Sequence, residues 1–476
     1  MRGGLPAIEL PAMIGIMLSR LSHLSREELE QLVFDQARVI AALEARIAEL
    51  EKVLAAKGGR PPRTSKNSSR PPSRDQKSNR PAGQGRKQRP SRPGSARRLA
   101  EHPDRVVQQR ASSCQHCGGD VSGQRQACRH RYDRVDIPLL ACETVRVELF
   151  GGRCGHCGRR FKAAAPDGLP TGTPFGPNIH ALLLYLHNSH HVGFERLSRF
   201  LAELFGVTIS QGAIANAFGR MAKSLDGLRC RIKAKLKDAP VIASDETTTR
   251  IDGVTNWHWT FVTDSAVLHE IAPRRARSVA EDVLGDHRPE VWVSDRYAGQ
   301  QELAACHQVC LAHVLRDVQY AIDRGDEGFA PKLRKLLRWA IRVGRRRDEL
   351  KDTTLAQYHA RAERQLDALL AIPPACTAAR ELQAQVKAWR GKYFVFLTDR
   401  RVPATNNICE REIRPSVVFR KVTGGFRSNW GAQVHAGYRS LTSTAKIAGQ
   451  TAWQTMTDLT GRVLIQPDLP LILPTR

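Results

Sequence analysis

Two apolar segments that each run directly into an aspartate constrain the fold of this chain more than any other feature of its sequence. Residues 239–244 lead into Asp245, and residues 289–294 lead into Asp295. Short, continuous apolar runs bounded by proline are typical of buried strands. Each aspartate is therefore expected where a sheet strand ends, which is where open α/β sheets place their functional sites.

The segment between the two aspartates supplies the remaining strands of the predicted sheet. Residues 256–263 and 266–272 alternate between apolar and polar as a β-hairpin does, and residues 278–284 have helical spacing. Three antiparallel strands, a helix and a strand that pairs beside the first are the opening order of an RNase-H-like fold. We therefore predict an RNase-H-like mixed α/β core within a multidomain α+β chain.

A third acid is expected from a later helix, which we predict to begin with Asn406 as its cap. Glu410 lies four residues after Asn406 and shares its helical face, whereas Glu412 points to nearly the opposite side. Two Asp and one Glu brought together form a hard oxygen site suited to magnesium or manganese. Taken singly, each of these acids is more often a solvated turn residue. The metal site is predicted because the three occur together with strand patterns and with a surplus of basic residues.

Charge and cysteine usage narrow the class of protein. The 476 residues carry 74 Lys and Arg against 47 Asp and Glu, a net charge of +27, which favours an anionic partner and most often nucleic acid. No apolar run is long enough to span a membrane, and no secretion signal is recognisable, so a cytoplasmic, DNA-associated protein is expected. Eleven cysteines, four of them in two CxxC pairs, indicate metal binding rather than disulfides.

The N-terminal region, residues 1–56, has the apolar repeat of a coiled coil, which favours self-association. A lone amphipathic helix packed on the protein's own body would give the same pattern. The next segment, residues 57–98, holds 14 Lys and Arg against one acid, Asp75, and is predicted to be a disordered linker that binds phosphates. The coiled-coil seam consists of Leu29, Val33, Gln36, Ile40, Leu43, Ile47, Leu50 and Leu54.

Residues 99–168 carry two near-copies of a zinc knuckle, Cys114-x-x-Cys117 and Cys154-x-x-Cys157. Four thiolates on two tight turns suit a structural zinc ion, and residues 131–140 and 142–150 between them alternate as strands. The sequence leaves open whether this zinc-binding domain reads DNA or is purely structural.

The other segments complete the predicted domain organisation. Residues 169–235 have the outline of a DNA-binding helix-turn-helix, although any helical hairpin could give it. Residues 236–450 form the predicted catalytic domain, with an all-helical insertion at 316–400, and residues 451–476 form a tail. A basic run in the insertion, from Lys332 to Arg347, lines a DNA channel or is a solvated helix face.

These features together resemble transposases of the insertion-sequence-66 family, which are DDE transposases with an RNase-H-like core. The most specific likenesses are Asp245-Glu246-Thr247 with Arg250, the Cys310-x-x-His313 motif, and the stretch from Asn406 to Arg411 that continues to Arg414-Pro415. The resemblance implies that Asp245, Asp295 and Glu410 form the DDE triad and that the protein transposes DNA at terminal inverted repeats.

Further expectations concern the residues and partners around this triad. Cys310, His313 and Asn406 are expected to support the site, with a structural role for Cys310 and His313 preferred over a metal role. Partners are expected to be DNA, at least one further copy of the chain, and accessory proteins of the same element. The rival functions are a non-catalytic, zinc-containing DNA-binding protein and a plain metal-dependent nuclease. The expected DNA-binding side chains are Arg411, Arg414, Arg420, Lys421, Arg427 and Lys446.

Overall fold

The computed structural model describes residues 24–56, 63–68, 98–137, 141–466 and 473. The chain divides into two compact units, of which the first combines residues 1–75 with 312–390 and the second combines residues 76–311 with 391–476. None of the described helices is both long and apolar enough to cross a membrane.

In the described residues, the region before the large sheet contains four helices and a small two-stranded sheet. The strands predicted over residues 131–150 are wrong for described residues 131–137 and 141–150, which contain no strand. Their alternating apolar side chains, such as Tyr132 and Ile137, are largely exposed and have no core to cover. The elements here are α1 (Arg26–Ala56), β1 (Gly151–Arg153), β2 (Arg160–Lys162), α2 (Pro177–His190), α3 (Phe194–Phe205) and α4 (Gln211–Lys237).

The break between α3 and α4 is the one that the sequence predicts. Gly206 ends α3 in the left-handed conformation, with φ of 66°. Ser210 then caps α4, because its Oγ accepts a hydrogen bond from the Ala213 backbone N–H at 3.1 Å. The helix, turn and capped second helix are confirmed, while their role in DNA binding stays a prediction.

The sheet has five strands in the order β5-β4-β3-β6-β7, antiparallel from β5 to β3 and parallel from β3 to β7. This order confirms the predicted hairpin, crossover helix and returning strand, and it is consistent with an RNase-H-like core. The elements are β3 (Val241–Ile251), β4 (Val254–Val262), β5 (Val267–Ala272), α5 (Arg277–Leu284), β6 (Val291–Ser294) and β7 (Cys306–Val309).

The C-terminal third of the chain is helical in its described residues. Three helices, α7 to α9, and the larger part of α6 fall in the segment predicted to be an all-helical insertion. The predicted tail instead contains a helix, α12, whose Met456 and Leu459 are buried and which packs against α2. The helices are α6 (Leu311–Asp323), α7 (Phe329–Arg345), α8 (Asp352–Leu370), α9 (Thr377–Ala388), α10 (Asn407–Thr423), α11 (Asn429–Ile447) and α12 (Ala452–Ile465).

Helix α4 and the sheet share one hydrophobic core. Ile214 and Met221 of α4 belong to the same buried cluster as Trp259 and Phe261 of β4. Helix α11 approaches α4 closely at Gly437, where an added Cβ would lie 3.3 Å from a side-chain atom of Leu225. The helical region that the sequence sets apart as residues 169–235 therefore has no separate core.

The first unit contains both N-terminal features predicted from the sequence. Helix α1 is present, and its seam residues Val33, Ile40, Leu43 and Ile47 are each at least 55% exposed, so the alternative of packing on the protein's own body does not hold for them. Within the predicted linker, residues 63–68 form a turn instead of a disordered chain. Residues 57–62 and 69–97 of that linker lie outside the described residues.

Candidate active site

Asp245 and Asp295 lie on adjacent parallel strands at the same level of the sheet. The parallel register pairs Ala243 of β3 with Val293 of β6, and each aspartate lies two residues beyond this pair. Because side chains alternate along a strand, the two carboxylates extend from the same face. Each accepts a backbone hydrogen bond, from Glu246 to Asp245 at 2.9 Å and from Tyr297 to Asp295 at 2.8 Å.

The strand that carries Asp245 is longer than predicted. It continues to Ile251, because residues 247–251 stay paired with β4 after the parallel pairing with β6 has stopped. Asp245 is therefore not at the end of its strand but at the point where β3 loses its parallel neighbour. Asp295 does follow the last residue of β6, Ser294, as predicted.

Asn406 joins the helix that carries Glu410 to the strand that carries Asp245. The sequence predicts that Asn406 caps α10, but its buried side chain makes no capping hydrogen bond. Its Nδ2 instead donates a hydrogen bond to the carbonyl oxygen of Ser244 at 2.7 Å. Since Ser244 directly precedes Asp245, this bond fixes the start of α10 beside the first aspartate.

Cys310 makes the equivalent connection to the second aspartate. Its backbone N–H donates to the carbonyl of Ser294 at 2.8 Å, and Ser294 directly precedes Asp295. Its buried Sγ accepts a hydrogen bond from the Asn406 backbone N–H at 3.1 Å. Cys310 and Asn406 thus link the three elements that carry the acids, whereas His313 lies one turn further on in α6.

Burial and the charges of neighbouring acids act on Asp245. The pKa of Asp245 is raised to about 8, first by burial and then by the carboxylates of Glu246, Asp295 and Glu410. No cationic side chain among the described residues pairs with Asp245. A buried carboxylate with no cationic partner, next to two further acids, fits a divalent cation, and Asp245, Asp295 and Glu410 are the residues that would hold it.

The carboxylates of Asp245, Asp295 and Glu410 do not have the arrangement of a formed metal site. Within the described residues, no three His, Cys, Asp or Glu side chains are arranged so that they could hold a metal ion. The sequence predicts that Cys114, Cys117, Cys154 and Cys157 form one zinc site. The described residues contain no such group of cysteines.

Each cysteine turn is nevertheless formed by itself. Gly118 and Gly158 follow the second cysteines at φ of 74° and 69°, which closes the two turns. The pKa of the Cys114 thiol is lowered because the backbone N–H groups of His116 and Cys117 donate hydrogen bonds to it. The pKa of the Cys154 thiol is lowered by the same kind of bonds, from Cys157 and His156. The turns therefore favour thiolates, although the structure gives no support for bound zinc.

Glu246 is a buried acid of the site that sequence patterns alone did not single out. Burial raises its pKa, and Arg275 opposes this shift by donating a hydrogen bond to its Oε1 at 2.7 Å. Gln300 also donates to its carboxylate. The Arg275 guanidinium lies over the ring of Tyr297, 3.7 Å from its centroid, which connects this pair to the loop after Asp295.

The Glu412 carboxylate contacts residues of α11, as its position on the other face of α10 predicts. Its Oε2 accepts a hydrogen bond from the Ser443 hydroxyl at 2.7 Å and lies 3.6 Å from Nη2 of the buried Arg439. Lys446 lies 3.9 Å from its other oxygen, with a side chain that is 77% exposed. These contacts join α10 to α11 and leave Glu410 as the acid that faces Asp245.

The predicted DNA-binding side chains differ in their surroundings. Arg420 is held by β3, because its Nη1 donates to the Thr248 carbonyl and to the Thr248 hydroxyl, the latter at 2.6 Å. Next to it, Gly425 has φ of 116° and passes so close to the Arg250 carbonyl that a Cβ would lie 2.6 Å from that oxygen. The exposed cationic side chains are Arg411, Arg414, Lys421, Arg427 and Lys446.

A mixed five-stranded sheet with Asp245 and Asp295 on adjacent parallel strands, and a later helix that carries Glu410, defines a mixed α/β protein and is consistent with an RNase-H-like core. The model of the transposase IS66 family, a DDE-type family, matches residues 172–434. Since this match spans more than half of the chain, the chain belongs to that family. No curated protein is significantly similar to it.

Proposed function

We propose that this protein is a DNA transposase that binds the terminal inverted repeats of an insertion sequence and catalyses metal-dependent strand cleavage and strand transfer. The observation that carries the proposal is that Asp245 and Asp295 extend side by side from adjacent parallel strands, with the helix of Glu410 bonded through Asn406 to the residue before Asp245. Buried acids with strongly shifted pKa values cluster at functional sites. Membership of the family supports the same conclusion.

Asp245, Asp295 and Glu410 would hold magnesium or manganese in this mechanism. The bound ions would supply activation of a water or 3′-hydroxyl and stabilisation of the leaving oxygen of a phosphodiester. The chain's own contribution begins with Asp245, which carries a proton near neutral pH and must lose it before it can bind a cation. Asn406 and Cys310 keep the three acids in register, since each bonds to the backbone beside an aspartate.

The exposed cationic side chains near α10 are the proposed contacts to the DNA phosphates. Arg411 and Arg414 extend from the same helix as Glu410, and Lys421 and Arg427 follow near its end. Phosphate contacts of this kind fix the position of a duplex without reading its sequence. Arg420 contributes differently in this proposal, because its bond to Thr248 holds the end of α10 against β3.

Helix α1 supports a proposed dimer or higher oligomer. The seam residues Val33, Ile40, Leu43 and Ile47 are exposed, and a second copy of the same helix would cover them as a coiled coil. Two protomers joined in this way would suit an element that has two ends.

The decisive experiment compares Asp295→Asn with the control Asp286→Asn, an exposed aspartate of the preceding loop. Both variants are assayed with manganese for binding of element-end DNA and for joining of that DNA to a target. We expect Asp295→Asn to bind ends normally and to lose joining by at least about 10³-fold, because it removes a carboxylate that would hold a metal. The control should keep both activities.

The rival functions give different results in the same assay. A non-catalytic DNA-binding protein would bind ends but neither cut nor join them in its unaltered form. A plain nuclease would release ends without ever joining them.

A further inference from the structure

A compact turn lies in the first unit, within the segment that follows the N-terminal helix. The Thr64 backbone N–H donates to Oδ1 of Asn67 at 2.7 Å, and the Ser68 hydroxyl donates to the Thr64 carbonyl at 2.6 Å. Asn67 is only 5% exposed, which is unusual for a polar residue in so basic a segment. Something must therefore cover it.

Helix α6 of the same unit covers the turn. Nδ2 of Asn67 donates to Oδ2 of Asp323 at 2.9 Å, and Gln319 donates to the other carboxylate oxygen at 2.8 Å. The Arg63 guanidinium lies 5.5 Å from the centre of the Tyr320 ring. These contacts fix the turn on the helix and, with it, the position of Lys66.

The docked turn completes the wall of a pocket of about 550 Å³ between α6 and α7. Four cationic side chains line it, and Asp323 is the single carboxylate among its lining residues. Arg334 donates to Gln319 at 2.9 Å, whereas Lys66, Arg316 and Arg338 form no ion pair within the described residues. The four cations are Lys66, Arg316, Arg334 and Arg338.

We infer that this pocket binds a phosphate of the DNA backbone. Four cations against the one carboxylate of Asp323 leave the pocket with a cationic excess, and both oxygens of Asp323 already accept hydrogen bonds from neutral amides rather than from these cations. Arginine guanidinium groups match phosphate oxygens in geometry and charge. Lys66 itself belongs to the strongly basic segment of residues 57–98. The inference rests on the proposed function, because it assumes that DNA is the substrate.

The test measures binding of the full-length protein to a DNA duplex at several salt concentrations. The variant Arg316→Ala/Arg338→Ala is compared with Arg380→Ala/Lys387→Ala, which removes two exposed cations of α9 that neither line the pocket nor belong to the basic run of α7. We expect the pocket variant to lower the slope of log K against log salt by about 0.9, the contribution of one phosphate contact. Equal slopes for the two variants would overturn the inference.

A second set of variants tests the role of the turn. Lys66→Ala and Asn67→Ala should weaken DNA binding to the same degree, and the double variant should weaken it no further, because Asn67 acts by holding Lys66 in place. Additive losses, or no loss in either single variant, would contradict this role. If the unaltered protein binds no duplex at all, both the inference and the proposed function fail. If it binds and joins DNA while the pocket variants match their control, only the inference fails.

Discussion

The side-chain amide of Asn406 donates a 2.7 Å hydrogen bond to the carbonyl of Ser244, so the helix of Glu410 is fastened to the residue that precedes Asp245. A buried carbonyl that loses its donor costs about 1–3 kcal/mol. We expect Asn406→Ala to destabilise the protein by that amount and to reduce strand joining much more than end binding. The exposed neighbour Asn407 offers the control Asn407→Ala. Unchanged joining in Asn406→Ala would show that the bond does not position the site.

Metal binding should release a proton from Asp245. Its pKa is about 8, so at pH 7 the carboxyl is mostly protonated in the metal-free protein and must ionise when a cation binds. Calorimetry of manganese binding in buffers of different ionisation enthalpy should give nearly one proton released at pH 7 and few at pH 9. The affinity should rise from pH 6 to pH 8 and then level off. The same proton release in Asp245→Asn would assign it to another group.

The pair of Arg439 and Glu412 should matter for stability rather than for chemistry. Both side chains are largely buried, and breaking a buried ion pair by removing one partner typically costs about 3–5 kcal/mol. We expect Arg439→Met to lower the free energy of unfolding in urea by this amount, and Arg439→Met/Glu412→Gln to recover part of it. Lys446→Met, which removes an exposed partner of Glu412, should cost at most about 1 kcal/mol. Equal losses for the two single variants would contradict this assignment.

The exposed seam residues of α1 predict an oligomer, and charged substitutions in the seam should dissociate it. Ile40→Asp/Leu43→Asp places two carboxylates in the seam, and sedimentation should then report a smaller species than the unaltered chain. Val39 is equally exposed but lies outside the seam, so Val39→Asp should leave the assembly intact. Dissociation by both variants, or by neither, would exclude the coiled coil as the contact.

The sequence predicts the sheet well because its signals are local. The apolar runs before Asp245 and Asp295 identify two strands, and their parallel pairing places the two acids level with each other. The length of β3 could not be predicted, since residues 247–251 stay in the sheet only through pairing with β4. The strands expected in residues 131–150 fail because alternation indicates a strand only where a core receives the apolar side chains.

The surroundings of the acids were harder to predict than the acids themselves. Glu246 depends on Arg275 and Gln300, which lie 29 and 54 positions away and carry no pattern that links them to it. Asn406 was expected to cap its own helix, yet its amide reaches a strand 162 positions earlier. Contacts at such separations follow from packing, which spacing in the sequence does not encode.

The hydrophobic cluster common to α4 and the sheet bears on how such proteins can diverge. A recognition module that folds by itself can be exchanged between relatives as a unit. Here Ile214 and Met221 pack in the same interior as Trp259 and Phe261, so a transplanted helix pair would leave the sheet uncovered. If the predicted DNA-binding role of α3 and α4 holds, the shared core would confine changes of specificity to substitutions on the outer faces of these helices.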